Sequence, residues 1–442
     1  MKIYKLPYPS VPLFASRDVK YIVEDPNLRP FYKYPVSYDG FKNAIQDKSI
    51  EKIDRKTLVE TLKRQHARLS NSLEVQANIE KLSLENTFTF VTAHQPSLFT
   101  GPLFYIFKIV STINLARQLA QQFPDYNFVP VFITSGEDHD FEEVNHLHLF
   151  GKKLTWESGE TGAVGNMKTA SLTAVLQDLK TIMGDGEQAK ALYETIERIH
   201  TTNERYSDAA FELAHFLFEE DGLVVLNTND AELKRVFIPD IKEEIFNQPS
   251  QSLVSQSITA LGQAGFASQA TPREINFFYL TEQSRERIVF ENGKFKVLNT
   301  SISFEKNEME ADIENHPERF SPNVVMRPIY QEKILPNLAY IGGGGELAYW
   351  LERKSQFEHF GVNFPVLVRR NSAMWIDSGS AKRLEKLNLS LDDIWTDTND
   401  LVRKYVRENA SAEFSLNSEK TENKAVFEKI AEKTAKIDPT LV

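Results

Sequence analysis

The chain has 442 residues, 41% apolar and 26% charged, the balance of an ordinary folded protein with a sizeable core. A formal net charge of −11 argues against a nucleic-acid surface as its main business, and no apolar run approaches the length of a membrane span. Cysteine is absent, which excludes a disulfide framework, a thiolate zinc site and a cysteine nucleophile; with no secretory signal in the opening residues, the cytoplasm is the expected location.

Residues 1–85 read as a Pro- and Tyr-rich arm followed by a helix over Glu51 to Leu84, with Leu58, Leu62, Leu69 and Leu73 at helical spacing. From Phe88 the pattern turns α/β. A strand ends at His94-Gln95, a short loop follows, and a helix opens near Gly101-Pro102 with Leu103, Ile106, Val110 and Ile113 on one face. Asn127 to Ile133 is a second buried strand, and strand–helix–strand is by default a right-handed parallel crossover. Gly151 to Gly165 reads as a loop or small β insertion, followed by helices over Thr173–Ile182 and Glu187–Phe218 and a strand over Leu223–Leu226. Phe277 to Val297 carries a hairpin around Asn292-Gly293. A further strand–helix junction lies at Asn337–Trp350 and a strand at Phe364–Val368. The last sixty or so residues are charged and mostly helical, with Phe427, Ile430, Thr434 and Ile437 spaced like a coiled-coil seam.

Chemistry concentrates at the ends of these strands. His94 and Gln95, with Thr100 and Gly101 after them, occupy the junction where backbone N–H groups and a helix dipole meet a phosphate; a plain capping histidine is the alternative. Glu137-Asp138-His139-Asp140 with Glu142 and Glu143 follows the second strand. Such carboxylates and an imidazole can hold an ammonium, ligate a divalent metal or act as general bases. One of Asp138 and Asp140 can equally cap a helix, leaving Glu142 and Glu143 in its solvated first turn. His146 and His148 form an i, i+2 pair that suits one face of a strand better than a zinc site. The run Gly342-Gly343-Gly344-Gly345-Glu346 lets a backbone approach a ligand closely, and Arg327 and Arg370 each close an apolar run where a guanidinium fork suits phosphate or carboxylate.

Taken in order, His94-Gln95-Pro96 through Phe99-Thr100-Gly101-Pro102, Glu137-Asp138-His139-Asp140, Ser321-Pro322-Asn323 with Arg327-Pro328, Gly342-Gly343 with Gly345-Glu346 and Ala348-Tyr349-Trp350, and Arg370-Asn371-Ser372-Ala373 resemble the cysteine-adding enzymes of bacillithiol biosynthesis over nearly the whole chain. The resemblance implies an α/β fold: a Rossmann-like parallel sheet over residues 86–378, with inserted connecting segments at about 151–220 and 255–315. It also implies a helical region over 379–442 that begins a coiled coil, cut short here and pairing two subunits of the full-length chain. It implies a ligase that joins L-cysteine to the amine of glucosaminyl malate, through an adenylate, with ATP as cofactor. His94, Gln95, Thr100, Gly101, Gly342, Gly343, Gly345 and Glu346 would then contact the nucleotide, while Asp138, His139, Asp140 and Arg370 would serve catalysis. No metal ligand is assigned. Ala93 replaces a usual glycine, and Gly344 and Arg369 each replace a usual proline. A metal-dependent hydrolase centred on Asp138, His139 and Asp140, and a non-catalytic nucleotide-binding scaffold, are the competing readings.

Overall fold

A computed structural model describes residues 2–70, 72–134, 136–409 and 416–441. Phe14–Ala373 form one compact unit, and the described residues on either side of it form a second.

The strands of the larger unit, in chain order, are β1 (Thr87–His94), β2 (Asn127–Thr134), β3 (His146–Leu149), β4 (Lys152–Thr155), β5 (Val224–Asn227), β6 (Phe277–Leu280), β7 (Arg285–Glu291), β8 (Lys294–Val297), β9 (Ser303–Phe304), β10 (Phe320–Pro322), β11 (Asn337–Gly342) and β12 (Val366–Arg369). Five of them build a parallel sheet in the order β12-β11-β1-β2-β5, the Rossmann-like core that the sequence implies. Its strands are apolar on both faces because both are covered. Val91, Val129, Val131, Val224 and Leu226 join a core with Leu58, Leu62 and the segments after β5, while Phe88, Phe90, Phe128 and Leu338 point the other way, onto Phe41, Ile45 and Leu119. The chain leaves β1 toward β2 and leaves β11 toward β12, so the connections diverge between two neighbouring strands. Above the carboxyl ends of β1 and β11 lies the switch-point crevice in which such sheets bind ligands.

Two insertions stand over that crevice. One carries the β3–β4 hairpin and three helices around a core of its own, with Trp156, Leu176, Ile196 and Tyr206. The other is an antiparallel sheet in the order β10-β6-β7-β8-β9. Its β7–β8 turn holds Asn292 at φ 54° and Gly293 at φ 80°, the left-handed pair expected of an Asn-Gly hairpin.

Several expected elements are corrected. Glu51–Leu84 is two helices, Arg55–His66 and Leu73–Lys81, because Asp54 and Ser72 each cap a separate start. Glu187–Phe218 also divides, into Glu187–Thr202 and Tyr206–Phe218, where Glu204 and Arg205 turn aside to pair with Lys168 and Thr169. The helix after β1 spans Phe104–Gln122 and buries Tyr105, Lys108, Ile109, Thr112, Ile113 and Ala116, whereas Leu103 is exposed; the sequence was apolar enough around the helix to hide this rotation.

The second unit contains the helices Ser378–Lys386, Thr398–Asn409 and Asn417–Ala435. The last ends one turn early for the full expected seam, leaving Ile437 beyond it. Among the described residues no helix is long and apolar enough to cross a membrane.

Candidate functional site

β1 delivers His94 and Gln95 to the crevice floor. The His94 ring stacks on Phe104 with centroids 5.2 Å apart, and burial, reinforced by the nearby Lys108 ammonium, pushes its pKa down to about 3. The imidazole is therefore neutral at physiological pH and can meet an anion through an N–H, not as a cation. Gln95 turns its amide nitrogen to Asp138 Oδ2 at 2.8 Å, while its Oε1 is buried without a hydrogen-bond partner.

Lys108 comes up from the helix behind His94. Its ammonium donates to the Ala93 carbonyl and to Glu346 Oε1 at 2.8 Å. Glu346 also accepts from the Tyr340 hydroxyl and from Gly343 N at 2.8 Å. Burial alone would raise the Glu346 pKa, but the Lys108 charge and these donors outweigh it and hold the carboxylate at about 2. Arg327, at the first turn of a helix, lies over the Tyr340 ring and donates to Tyr349 Oη at 2.9 Å. Arg370 continues β12, its backbone N donating to the Gly342 carbonyl, and its guanidinium lies over Phe104. Together these groups line a cleft of about 560 Å³.

The loop after β2 forms a second wall. Glu137 is buried 3.0 Å from the Lys234 ammonium, which also donates to the Phe320 carbonyl. Asp138 accepts from Gln95 and, at 3.3 Å, from Arg285; the same Arg285 nitrogen lies 3.0 Å from His139 Nδ1. Arg285 is further fixed by Ser321 Oγ, the Pro322 carbonyl and the Phe278 ring. Asp140 caps the short Phe141–Val144 helix, as the plainer account of that aspartate had it, yet it also faces an adjoining cleft of about 520 Å³ with Asp138, His139 and Glu143. Burial and the nearby Asp140 and Asp138 charges raise the pKa of Glu143.

The structure thus brings His94, Gln95, Gly343, Gly345, Glu346, Asp138 and Arg370 to one cleft and places His139 and Asp140 in its neighbour. Thr100, Gly101 and Gly342 line neither. Thr100 and Gly101 have φ of 72° and 56° in the tight turn before the helix, and Gly342 is the buried last residue of β11. The glycine run is not a loose loop: Gly342 ends the strand, Gly344 begins the helix, and only Gly343 links them. His146 and His148 sit on β3 with rings 5.9 Å apart. Among the described residues no group of three His, Asp or Glu side chains is arranged to hold a metal ion.

Sequence reasoning passed over Lys108, Lys234 and Arg285. The signal for Lys108 was present: it falls at helical spacing between Tyr105 and Thr112, inside the buried stripe. Nothing local marked Lys234 or Arg285, because their partners come from β-segments distant in the chain.

Comparison with known proteins places this geometry. A family model described as the N-terminal Rossmann-like domain of bacillithiol biosynthesis BshC matches residues 1–371, and one described as its C-terminal coiled-coil domain matches residues 373–442. A Flavobacterium johnsoniae protein named "Putative cysteine ligase BshC" is 41% identical over 96% of this chain and 80% of its own length. Namesakes from Christiangramia forsetii and Bacillus velezensis are 38% and 29% identical, covering 98% and 96% of this chain and 82% of their own lengths in both cases. The chain belongs to the bacillithiol biosynthesis BshC family.

Proposed function

We propose that this protein is a ligase that forms an amide between the carboxyl group of L-cysteine and the amine of glucosaminyl malate, completing bacillithiol in the cytoplasm. The observation that carries the proposal is the pair of adjoining clefts at the sheet switch point, one lined by glycines with Lys108, Arg327 and Arg370, the other holding Asp138, Asp140 and Glu143, meeting at the Gln95–Asp138 hydrogen bond.

The first cleft fits a nucleotide. Gln95 Oε1 at the cleft is buried with its acceptor capacity unused, and a Cβ built on Gly345 would touch nothing within 4 Å, so the backbone there is open. His94, Gln95, Gly343 and Gly345 would hold ATP, with Lys108, Arg327 and Arg370 supplying positive charge. Bound ATP would supply activation of the cysteine carboxylate as an adenylate, with release of pyrophosphate, and AMP would leave as the amide C–N bond forms. The chain's own groups do the rest. Asp138, His139 and Asp140 hold the attacking amine, and Glu143, whose raised pKa suits proton uptake, receives the proton released as the C–N bond forms. The neutral His94 donates to the phosphates without competing for that proton.

Incubating the purified protein with ATP, L-cysteine and glucosaminyl malate tests the proposal by mass spectrometry. The expected result is bacillithiol formation by the parent and its loss in a folded His94→Ala variant; unchanged yield from that variant would remove His94 from the mechanism.

A further inference from the structure

The cleft that holds Asp138, Asp140 and Glu143 is also lined by arginines. Arg273, from the loop before β6, and Arg287, on β7, line it with Ile275, Phe277 and Phe278. Arg285 and Arg287 lie two apart on one strand and so share a face, but their situations differ. Arg285 is fully engaged by Asp138, His139, Ser321 and Pro322. Among the described residues, neither Arg273 nor Arg287 has a carboxylate or other hydrogen-bond partner for its guanidinium. The Nε of Arg287 is buried and unpaired. Arg273 is exposed, so the cost of burial falls on Arg287: a donor held out of water without an acceptor is costly unless a ligand supplies one.

We infer that Arg273 and Arg287 form an anion subsite that takes the dicarboxylate end of the amino-sugar acceptor. This rests on the ligase reading for the identity of the acceptor, but not for the presence of the subsite. The chemistry is complementary along the cleft. Two guanidinium forks suit two carboxylates. Ile275, Phe277 and Phe278 line the same cavity, as do Asp138, Asp140 and Glu143, which can receive an ammonium or a sugar amine. A molecule with a carboxylate pair at one end and an amine at the other would be held with its amine directed to the Gln95–Asp138 junction, where the two clefts share residues. The subsite thereby selects the acceptor and leaves the cysteine and nucleotide to the neighbouring cleft.

The test uses L-malate alone as the probe, titrated calorimetrically into the full chain. Malate is expected to bind the parent, and Arg287→Gln or Arg273→Gln to weaken it by about tenfold or more, as loss of a charged hydrogen bond would. Circular dichroism verifies that each variant is folded, and Arg287→Lys, which keeps the charge but not the fork, is expected to recover part of the affinity. Arg370→Gln, in the other cleft, is expected to bind malate as the parent does. In the coupled reaction the same two substitutions raise KM for glucosaminyl malate while KM for cysteine stays within about twofold. No malate binding by the parent, or equal binding by a folded Arg273→Gln/Arg287→Gln variant, would overturn the subsite. Malate binding that depends on both arginines, with no amide product from the parent, would retain the subsite and defeat the ligase reading.

Discussion

Asp18 links Arg369, at the end of β12, to Gly344, at the start of the helix after β11. Its carboxylate accepts from Arg369 Nε at 2.8 and 3.0 Å, and it lies where any side chain on residue 344 would have to go, since a Cβ built on Gly344 would overlap it. Arg369 and Gly344 are thus both tied to one buried acid beside the candidate nucleotide cleft. Gly344→Ala must displace a carboxylate pinned by a buried ion pair, and is expected to cost about 1–3 kcal/mol of stability, the range for overpacking. In an Asp18→Ala background the same substitution should cost clearly less. Urea unfolding of the four proteins of this cycle checks the coupling, and additive costs would refute it. The sequence did not show this link, because Asp18 lies more than three hundred residues from both.

At the scale of elements, periodicity located the strands of the parallel sheet better than the ends of the helices. A buried parallel strand is a continuous apolar run and announces itself, as β1, β2, β5 and β12 do. One expected helix broke at Ser72, whose side chain caps a new start, and another before Tyr206, where Glu204 and Arg205 leave the helix to pair with Thr169 and Lys168. The Asn417–Ala435 helix carries Phe427 and Ile430 at 69% and 53% exposure, an apolar stripe that this unit does not cover by itself. Pairing with a second copy through that stripe would cover it, since apolar residues at three- and four-residue spacing are what a coiled-coil seam buries. Light scattering is expected to give a dimer mass for the parent and a monomer mass for Phe427→Glu/Ile430→Glu. A parent monomer, or a variant that keeps the dimer mass, would contradict this pairing.

Across the whole molecule, the site is assembled from segments that the sequence shows only one at a time. His94, Asp138, Gly343 and Arg370 were recognisable because each ends or follows a strand of one sheet, and a parallel sheet gathers all its carboxyl ends on one side. Arg285, Arg273 and Arg287 were not, because they belong to the inserted antiparallel sheet, whose placement over the crevice depends on tertiary packing and not on any local pattern. The insertions are what distinguish this molecule from a bare Rossmann-like sheet: they supply one wall of the second cleft and, with it, room for a second substrate beside the first. A ligase needs that arrangement, because it must hold an activated carboxyl group and an amine together while keeping water from the former. The most direct measurement is the thiol pool of a source strain from which this gene has been deleted, compared with its parent by mass spectrometry. Loss of bacillithiol with accumulation of glucosaminyl malate is the predicted result, and parental levels of both would contradict the assignment.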